Sequence, residues 1–286
     1  SVGCFLCRYG NIAFLSDPFW SHLSFWHVAF GKTVPKPELV DPYLPEIRDV
    51  SAIFVCHSHY DHDLDLSYIA PHLPKETTIF GSQTLANTFA PYGLDQRFVQ
   101  VNSDMATQND MGNRLYASKG RLRILPILSG HPNQYLFFHL FQERIKKPRK
   151  RIPQRSWDFQ EGETIAFLID ILDEAQEKIE KRIYLQTSTT GFPIGSFPQS
   201  ILDEHPVDVA LLGIDCANIK AEGKPSIIDF LQPKVVIFSH WEDFFQPKQD
   251  PPHEIVKVDL YALKEALPST PSCKMIFPYW DSTFLL

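Results

Sequence analysis

The chain contains 286 residues, of which 44% are hydrophobic and 21% are charged, and its formal net charge is −7. This composition is typical of a globular protein with an ample core, and the negative charge argues against a general nucleic-acid binder. No apolar run reaches the roughly eighteen residues that a membrane-spanning helix needs.

Apolar segments alternate with polar, turn-forming segments along the chain, which predicts an α/β protein with layered sheets and helices. Two strands are expected between Phe5 and Leu15, joined by a turn at Tyr9-Gly10-Asn11. Further strands are predicted at residues 52–56, 77–81, 98–101, 122–127, 164–172, 182–185, 207–214 and 234–238, and helices at 65–73, 83–90 and 224–231. Residues 33–45 contain four prolines and are expected to have no regular structure.

The strongest chemical signal follows the apolar run at 52–56, where His57, His59, Asp61 and His62 form the pattern H-x-H-x-D-H. Extended backbone directs His57 and His59 to the same side, because side chains alternate along a strand. A turn then has to carry Asp61 and His62 to a neighbouring position. Imidazole and carboxylate groups suit zinc, and also iron or manganese, so the motif predicts one metal site or two adjacent ones.

The motif and its surroundings resemble the metallo-β-lactamase superfamily of metal-dependent hydrolases. An early strand ends in Asp17-Pro18, and His131 and His240 follow later apolar runs, as the family pattern requires. The proline-rich stretch and Leu44-Pro45-Glu46-Ile47 are similar to the lactonase and N-acyl phosphatidylethanolamine phospholipase D branch. The resemblance implies a single domain over residues 1–286 with a four-layer αββα sandwich, an upstream first strand, and a basic insertion at about 141–163.

The resemblance also implies site residues. The ligand sets that it implies are His57, His59 and His131 for one metal, and Asp61, His62 and His240 for a second. Asp61 and His62 are the expected catalytic residues. Asp17 is expected either to hold the histidine loop through hydrogen bonds or to cap its own strand.

Residues 186–191 depart from the family pattern. The family has Gly-Asp-Thr-Gly there, and its aspartate bridges the two metals, whereas this chain has Ser188 at that position. A neutral hydroxyl is a far poorer bridging ligand than a carboxylate, so we expect the second metal to bind weakly or not at all. Asp215, which follows an apolar strand, is an alternative ligand.

Residues 19–30 are dense in aromatic side chains. They are interpreted either as an apolar wall beside the active site, with Trp20 and Trp26 contacting substrate, or as ordinary core or a dimer contact. Trp241, next to His240, is a third predicted substrate contact.

Basic residues concentrate in the insertion. They are Arg144, Lys146, Lys147, Arg149, Lys150, Arg151 and Arg155. Two interpretations stay open: a solvated loop, or a cationic lip that attracts an anionic substrate or a membrane surface.

The sequence therefore predicts a metal-dependent hydrolase that uses metal-bound hydroxide on an ester, lactone or phosphodiester. The expected cofactor is one or two zinc ions, with iron or manganese as alternatives. The expected partner is a small-molecule or lipid-like substrate, including anionic ones, and not nucleic acid. The alternative is a metal- or ligand-binding protein without turnover, degenerate at Ser188. The oligomeric state stays open.

Five cysteines are an odd number, so at least one is unpaired within the chain. Because the chain begins at Ser1 rather than at methionine, we expect further residues upstream. A cytoplasmic location is slightly favoured, and a cleaved export signal upstream of Ser1 is the alternative.

Overall fold

The computed structural model describes residues 2–132, 141–214, 225–247, 252–255, 258, 260–261 and 273–286. The strands are β1 (Leu6–Tyr9), β2 (Ile12–Ser16), β3 (Ala52–Phe54), β4 (Thr78–Gly81), β5 (Phe98–Gln100), β6 (Leu115–Ala117), β7 (Leu122–Leu128), β8 (Ile165–Leu172), β9 (Ile179–Gln186), β10 (Val209–Gly213), β11 (Val235–Ser239) and β12 (Lys274–Ile276).

All α-helices of the described residues are short. They are α1 (Phe25–Phe30), α2 (Pro37–Val40), α3 (Leu44–Ile47), α4 (Tyr60–Asp63), α5 (Leu66–Ile69), α6 (Gln83–Phe89), α7 (Gln199–Glu204) and α8 (Ile227–Leu231). Single turns of 3-10 helix occur at Asp41–Tyr43, Ala70–His72, Ala90–Tyr92, Asp95–Arg97, Ser118–Gly120 and Ser156–Asp158. Among the described residues no helix is both long enough and apolar enough to cross a bilayer.

The described strands form a five-stranded sheet, ordered β1-β2-β3-β4-β5, and a seven-stranded sheet, ordered β12-β11-β10-β9-β8-β7-β6. From β2 to β5 the first sheet is parallel. In the second sheet β9 to β12 are parallel, and β7 runs in the same direction because two antiparallel pairings separate it from β9. The carboxyl ends of β7, β9, β10 and β11 therefore meet at one edge, and those of β2 and β3 meet at one edge of the first sheet.

The two sheets pack face to face around a shared apolar core. Phe54 of β3 contacts Phe80 in its own sheet, with ring centroids 5.3 Å apart, and Phe167 of the opposite sheet, at 5.1 Å. All eight residues of β8 are buried, as expected for a strand covered on both faces. The outer faces pack against helices, such as α5 and α6 on the first sheet and α7 and α8 on the second. This is the αββα sandwich that the resemblance implied.

The sequence did not predict β6 or β12, but the other ten strands of the described residues, including the β1–β2 hairpin, lie close to where it predicted them. So does α6, whose first turn is capped by Ser82, because its hydroxyl oxygen accepts from the Leu85 N–H at 3.1 Å. The prediction of no regular structure over residues 33–45 was wrong. Pro37 and Pro45 stand in the first turns of α2 and α3, where proline removes no intrahelical hydrogen bond.

Candidate metal centre

The H-x-H-x-D-H motif begins in the connection after β3 and ends in the first turn of α4. His59 is the N-cap of α4, with extended backbone at φ −78° and ψ 150°, so Asp61 and His62 occupy the first helical turn. The His62 N–H donates to the His59 carbonyl at 2.9 Å. The expected turn is therefore a helical one, and it brings all four side chains of the motif to the same edge of the sandwich.

His57, His59 and His131 form a first cluster. Their ring centroids lie 4.7 to 4.8 Å from one another, and their ligand atoms all lie within 4.8 Å of one another. His131 follows β7, in the opposite sheet from the motif. The cluster therefore depends on the packing of the two sheets.

Asp61, His62 and His240 form a second cluster, whose ligand atoms also lie within 4.8 Å of one another. Asp61 Oδ2 is 3.7 Å from His62 Nε2 and 3.5 Å from His240 Nε2. The rings of His57 and His62 are only 3.8 Å apart, centroid to centroid. The two clusters are therefore immediate neighbours.

Hydrogen bonds orient two of the imidazole rings. His62 Nδ1 lies 2.8 Å from Asp17 Oδ2, and His131 Nδ1 lies 2.7 Å from the Pro132 carbonyl oxygen. When Nδ1 is the protonated nitrogen it donates to these oxygens, which leaves Nε2 as the acceptor. A metal-ligating histidine is normally held by this kind of contact.

Asp17 is fully buried and holds three parts of the site at once. Besides His62, it accepts from the Cys56 N–H and from the Thr187 hydroxyl, each at 2.8 Å. Sequence reasoning missed Thr187. No signal in the sequence singles it out, because the next three residues, Ser188, Thr189 and Thr190, carry hydroxyl groups as well.

The two clusters satisfy the chemical requirements of a divalent metal ion. Within the described part of the chain, neither ring nitrogen of His57 has a hydrogen-bond partner, although both are buried. A buried polar atom without a partner costs roughly 1–3 kcal/mol, which a coordinated ion would remove. Burial, and then repulsion from His62 and His131, lowers the pKa of His57 well below its ordinary value, so this ring is neutral, as a metal ligand must be.

Asp61 is the one carboxylate among the six residues of the two clusters. Burial acts to raise its pKa, but the positive potential of His62 and the hydrogen bond from His240 outweigh burial, and the pKa falls below its usual range. The carboxylate is therefore ionised at neutral pH and available to a cation.

Two residues of the site have left-handed backbone conformations that are uncommon outside glycine. The φ angle is 34° at Asp17 and 62° at His240. Such conformations are retained where the surroundings fix them, and they concentrate at functional sites. At both positions the chain leaves a strand and turns sharply at the sheet edge.

Ser188 lies on the loop that follows β9 and is buried. Its carbonyl oxygen accepts from the Ser129 hydroxyl at 2.8 Å, which places this loop beside the one that carries His131. Within the described residues neither cluster includes a carboxylate from this loop. Asp215 lies outside the described residues.

The close approach of β10 to the same loop requires a glycine. A Cβ atom on Gly213 would lie 2.1 Å from the Thr187 carbonyl oxygen. Any larger residue there would displace the backbone of Thr187, which contacts Asp17.

The three tryptophans predicted to contact substrate lie in different surroundings. Trp20 is buried and stacks on Tyr43 with ring centroids 5.3 Å apart. Trp26 is 68% exposed. Trp241 is buried in the core that the second sheet forms with α7 and α8. Sequence reasoning missed Phe244, whose ring centroid lies 5.2 Å from that of His240.

A cavity of about 280 Å³ lies beside the segment that follows β2. It is lined by Trp20, His22, Lys36, Glu38, Leu39 and Pro247. None of the six residues of the two clusters lines it, so we do not assign it to the metal centre.

No protein-family model matches the sequence, and no curated protein matches it. Solved structures do match over nearly the whole chain. A possible metal-dependent hydrolase from Veillonella parvula is 14% identical, with a TM-score of 0.54, covering 99% of this chain and 96% of that one. The isothiocyanate hydrolase from Delia radicum gut bacteria is 15% identical, with a TM-score of 0.53 and coverage of 99% and 95%.

The metallo-β-lactamase fold protein YhfI from Bacillus subtilis is 11% identical, with a TM-score of 0.50 and coverage of 96% and 88%. At these identities the likeness shows the fold alone. The chain has the metallo-β-lactamase fold, and its two histidine-rich clusters lie at one edge of that fold.

Proposed function

We propose that this protein is a metal-dependent hydrolase of the metallo-β-lactamase superfamily. The observation that carries the proposal is the pair of adjacent clusters, in which the buried ring nitrogens of His57 have no hydrogen-bond partner among the described residues. Two similar structures support the same reaction class: the one from Veillonella parvula is described as a possible metal-dependent hydrolase, and the one from Delia radicum gut bacteria as an isothiocyanate hydrolase.

The proposed metal is zinc, since imidazole nitrogen and carboxylate oxygen are among its ordinary ligands. Three residues, His57, His59 and His131, would hold one ion, and Asp61, His62 and His240 would hold a second. A bound divalent ion supplies a water molecule of lowered pKa and polarises the oxygen of the scissile group.

The protein's own contribution is to orient these ligands. Asp17 Oδ2 fixes the ring of His62 through a hydrogen bond at Nδ1, and the Pro132 carbonyl oxygen does the same for His131. Asp61 stays ionised at neutral pH because its pKa is lowered, which makes it a weak proton acceptor. We therefore propose that Asp61 binds a cation and orients a water molecule by accepting its hydrogen bond.

The proposed substrates are esters, lactones or phosphodiesters, with a preference for lipid-like or anionic molecules. The support for that preference is the exposed aromatic helix α1 and the exposed lysines of the basic insertion. The lactonase and phospholipase D-like branch is part of this proposal, and it rests on the sequence resemblance.

A second candidate function is metal or ligand binding without turnover. It is favoured by the loop after β9, which has Ser188 where the family has its bridging aspartate, and by the single carboxylate in the two clusters. Two divalent ions held close together repel strongly, and one carboxylate neutralises only part of their charge.

The test is chelation followed by reconstitution. The purified protein is stripped of metal and reloaded with zinc, manganese or iron, and hydrolysis of an aryl phosphodiester, an aryl ester and a lactone is measured. We expect at least one metal to restore turnover. His59→Ala should abolish both metal binding and turnover, whereas His72→Ala, an exposed histidine outside the clusters, should change neither.

Metal binding without turnover on all three probes would favour the second candidate. Equal turnover by His59→Ala and the unmodified protein would contradict the proposed site.

A further inference from the structure

Helix α1 is apolar and yet unburied. Its sequence is Phe-Trp-His-Val-Ala-Phe, and none of its residues is buried. Phe25, Trp26 and Phe30 are 47%, 68% and 72% exposed, and the rings of Trp26 and Phe30 stack on each other at 5.9 Å. An apolar helix is normally buried, and exposed apolar patches of this kind mark interaction surfaces.

The basic insertion supplies unpaired positive charge. Residues 141–155 contain seven basic residues and one acidic residue, Glu143, in a chain of net charge −7. Arg144 pairs with Glu163 at 3.3 Å and Arg149 with Asp158 at 3.7 Å. The exposed basic residues of the insertion that form no ion pair with the described part of the chain are Lys146, Lys147, Lys150 and Arg151.

The backbone of the insertion is held in place by the body of the protein. The Arg149 N–H donates to the Asn87 carbonyl at 2.9 Å, and the Ile145 N–H donates to the Thr84 hydroxyl at 3.2 Å. Asn87 and Thr84 belong to α6. The lysines of the insertion therefore project from an anchored segment.

The insertion and α1 are joined by hydrogen bonds. Arg155 Nη1 donates to the carbonyl oxygen of Phe30, at 2.7 Å, and the Ser156 hydroxyl donates to that of Val28, at 2.8 Å. The same segment carries two further exposed apolar side chains, Ile152 and Trp157, and the Trp157 ring centroid lies 5.7 Å from the guanidinium carbon of Arg155. We define the aromatic–basic surface as Phe25, Trp26, Phe30, Lys146, Lys147, Lys150, Arg151, Ile152 and Trp157.

We propose that the aromatic–basic surface docks this protein on an anionic lipid bilayer. Lysine and arginine side chains are attracted by acidic headgroups, and tryptophan and phenylalanine rings partition into the interfacial region just below them. A second copy of the chain fits this surface less well, because a two-fold contact would bring like charges together. Nucleic acid would neutralise the lysines and leave Ile152 and Phe30 without an apolar environment.

The surface also has an aromatic connection to the metal centre. The ring centroids of Phe25 and Phe245 are 5.8 Å apart, those of Phe245 and Phe244 are 4.6 Å apart, and those of Phe244 and His240 are 5.2 Å apart. Packed aromatic rings therefore connect α1 with His240. Docking goes beyond the proposed hydrolysis and does not depend on it.

Vesicle sedimentation tests the proposal without any assay of hydrolysis. The full chain is mixed with vesicles of phosphatidylcholine alone, or of phosphatidylcholine with phosphatidylserine, at low and high salt. One variant combines Lys146→Gln, Lys147→Gln, Lys150→Gln and Arg151→Gln. Its matched control removes the same charge from exposed sites elsewhere, with Arg48→Gln, Lys75→Gln, Lys178→Gln and Lys274→Gln.

A second pair of variants tests the apolar component. Trp26→Ala with Phe30→Ala is compared with Tyr116→Ala and Tyr261→Ala, which remove exposed aromatic rings elsewhere. All eight charged positions and all four aromatic ones are exposed, so the variants should keep the melting temperature of the unmodified protein to within a few degrees.

We expect the unmodified protein to sediment with phosphatidylserine vesicles, more strongly at low salt. The variant that lacks the four positive charges of Lys146, Lys147, Lys150 and Arg151 should bind these vesicles roughly tenfold or more weakly. The Trp26–Phe30 variant should lose binding at both salt concentrations. The controls should bind like the unmodified protein. Three results would overturn the proposal: no sedimentation at low salt, equal binding by all variants, or binding of a single-stranded oligonucleotide in place of vesicles.

Discussion

Asp17 links three segments that are far apart in the sequence, because one carboxylate meets His62, the Cys56 backbone and the Thr187 hydroxyl. We predict that Asp17→Asn weakens metal binding at the Asp61–His62–His240 cluster by about 10- to 100-fold, because the ring of His62 loses its charged acceptor. Calorimetric zinc titration measures the effect. Asp95→Asn, at an exposed position, is the matched control and should leave both affinities unchanged. If Asp17→Asn binds zinc at the Asp61–His62–His240 cluster as tightly as the unmodified protein does, Asp17 does not position His62 for metal binding.

Ser188 stands where the family resemblance implies a bridging aspartate. Asp61 is the one carboxylate of the two described clusters, so two divalent ions would keep most of their mutual repulsion. We therefore predict that the unmodified protein binds its first metal tightly and its second weakly, and that Ser188→Asp tightens the second. Both forms are titrated by calorimetry.

Thr190→Asp is the control for Ser188→Asp, since it adds the same charge to the same loop at an exposed position. A similar gain in both variants would mean that general charge, rather than the position of Ser188, sets the second affinity. Two tightly held metals in the unmodified protein would contradict the prediction outright.

The segment after β2 is attached to the start of α5 by Asp65. The Asp65 carboxylate accepts from the backbone N–H groups of Trp20 and Ser21, at 2.5 and 2.8 Å, and also from the Ser21 hydroxyl. The Asp65 N–H returns a bond to the Pro18 carbonyl. This contact fixes the path of the chain immediately after Asp17.

Asp65 also predicts a dependence of stability on pH. Burial raises its pKa to about 6, although the three hydrogen bonds act against burial. Because the folded state then holds a proton that the unfolded state releases near pH 4, the free energy of unfolding falls as pH rises from about 4 to about 6, by on the order of 3 kcal/mol. Above that range the contribution stays constant.

Urea unfolding of the metal-free protein and of Asp65→Asn, at a series of pH values, checks this prediction. The variant cannot ionise at this position, so the stability of the unmodified protein relative to the variant should decrease over that interval. A relative stability that is flat or rises with pH would show that the folded-state pKa of Asp65 is not raised.

At the scale of the whole molecule, the sequence predicts the sheets better than it predicts the contacts between them. Buried strands such as β8 and β11 are recognisable because they are short, apolar and rich in β-branched residues. The metal-binding motif is recognisable because four of its residues fall within six positions. Both signals are local in the sequence.

The features that sequence reasoning missed depend on tertiary contacts. Thr187 lies 170 residues from Asp17, and no local pattern joins the two. The residues of α1 contain no clear helical period, because the helix is apolar on every side and its exposure follows from how the rest of the chain packs. Prolines misled the prediction for α2 and α3, since their effect depends on whether they stand at a helix start.

The central claim is that the histidine-rich edge of the sandwich binds metal, and the most direct measurement is the metal content of the protein after dialysis. Elemental analysis is made on the unmodified protein, on His57→Ala and on His72→Ala. We predict about one tightly held ion per chain in the unmodified protein and in His72→Ala. We predict none in His57→Ala, because His57 belongs to a cluster and His72 does not. Full metal content in His57→Ala, or none in the unmodified protein under metal-replete conditions, would contradict the account.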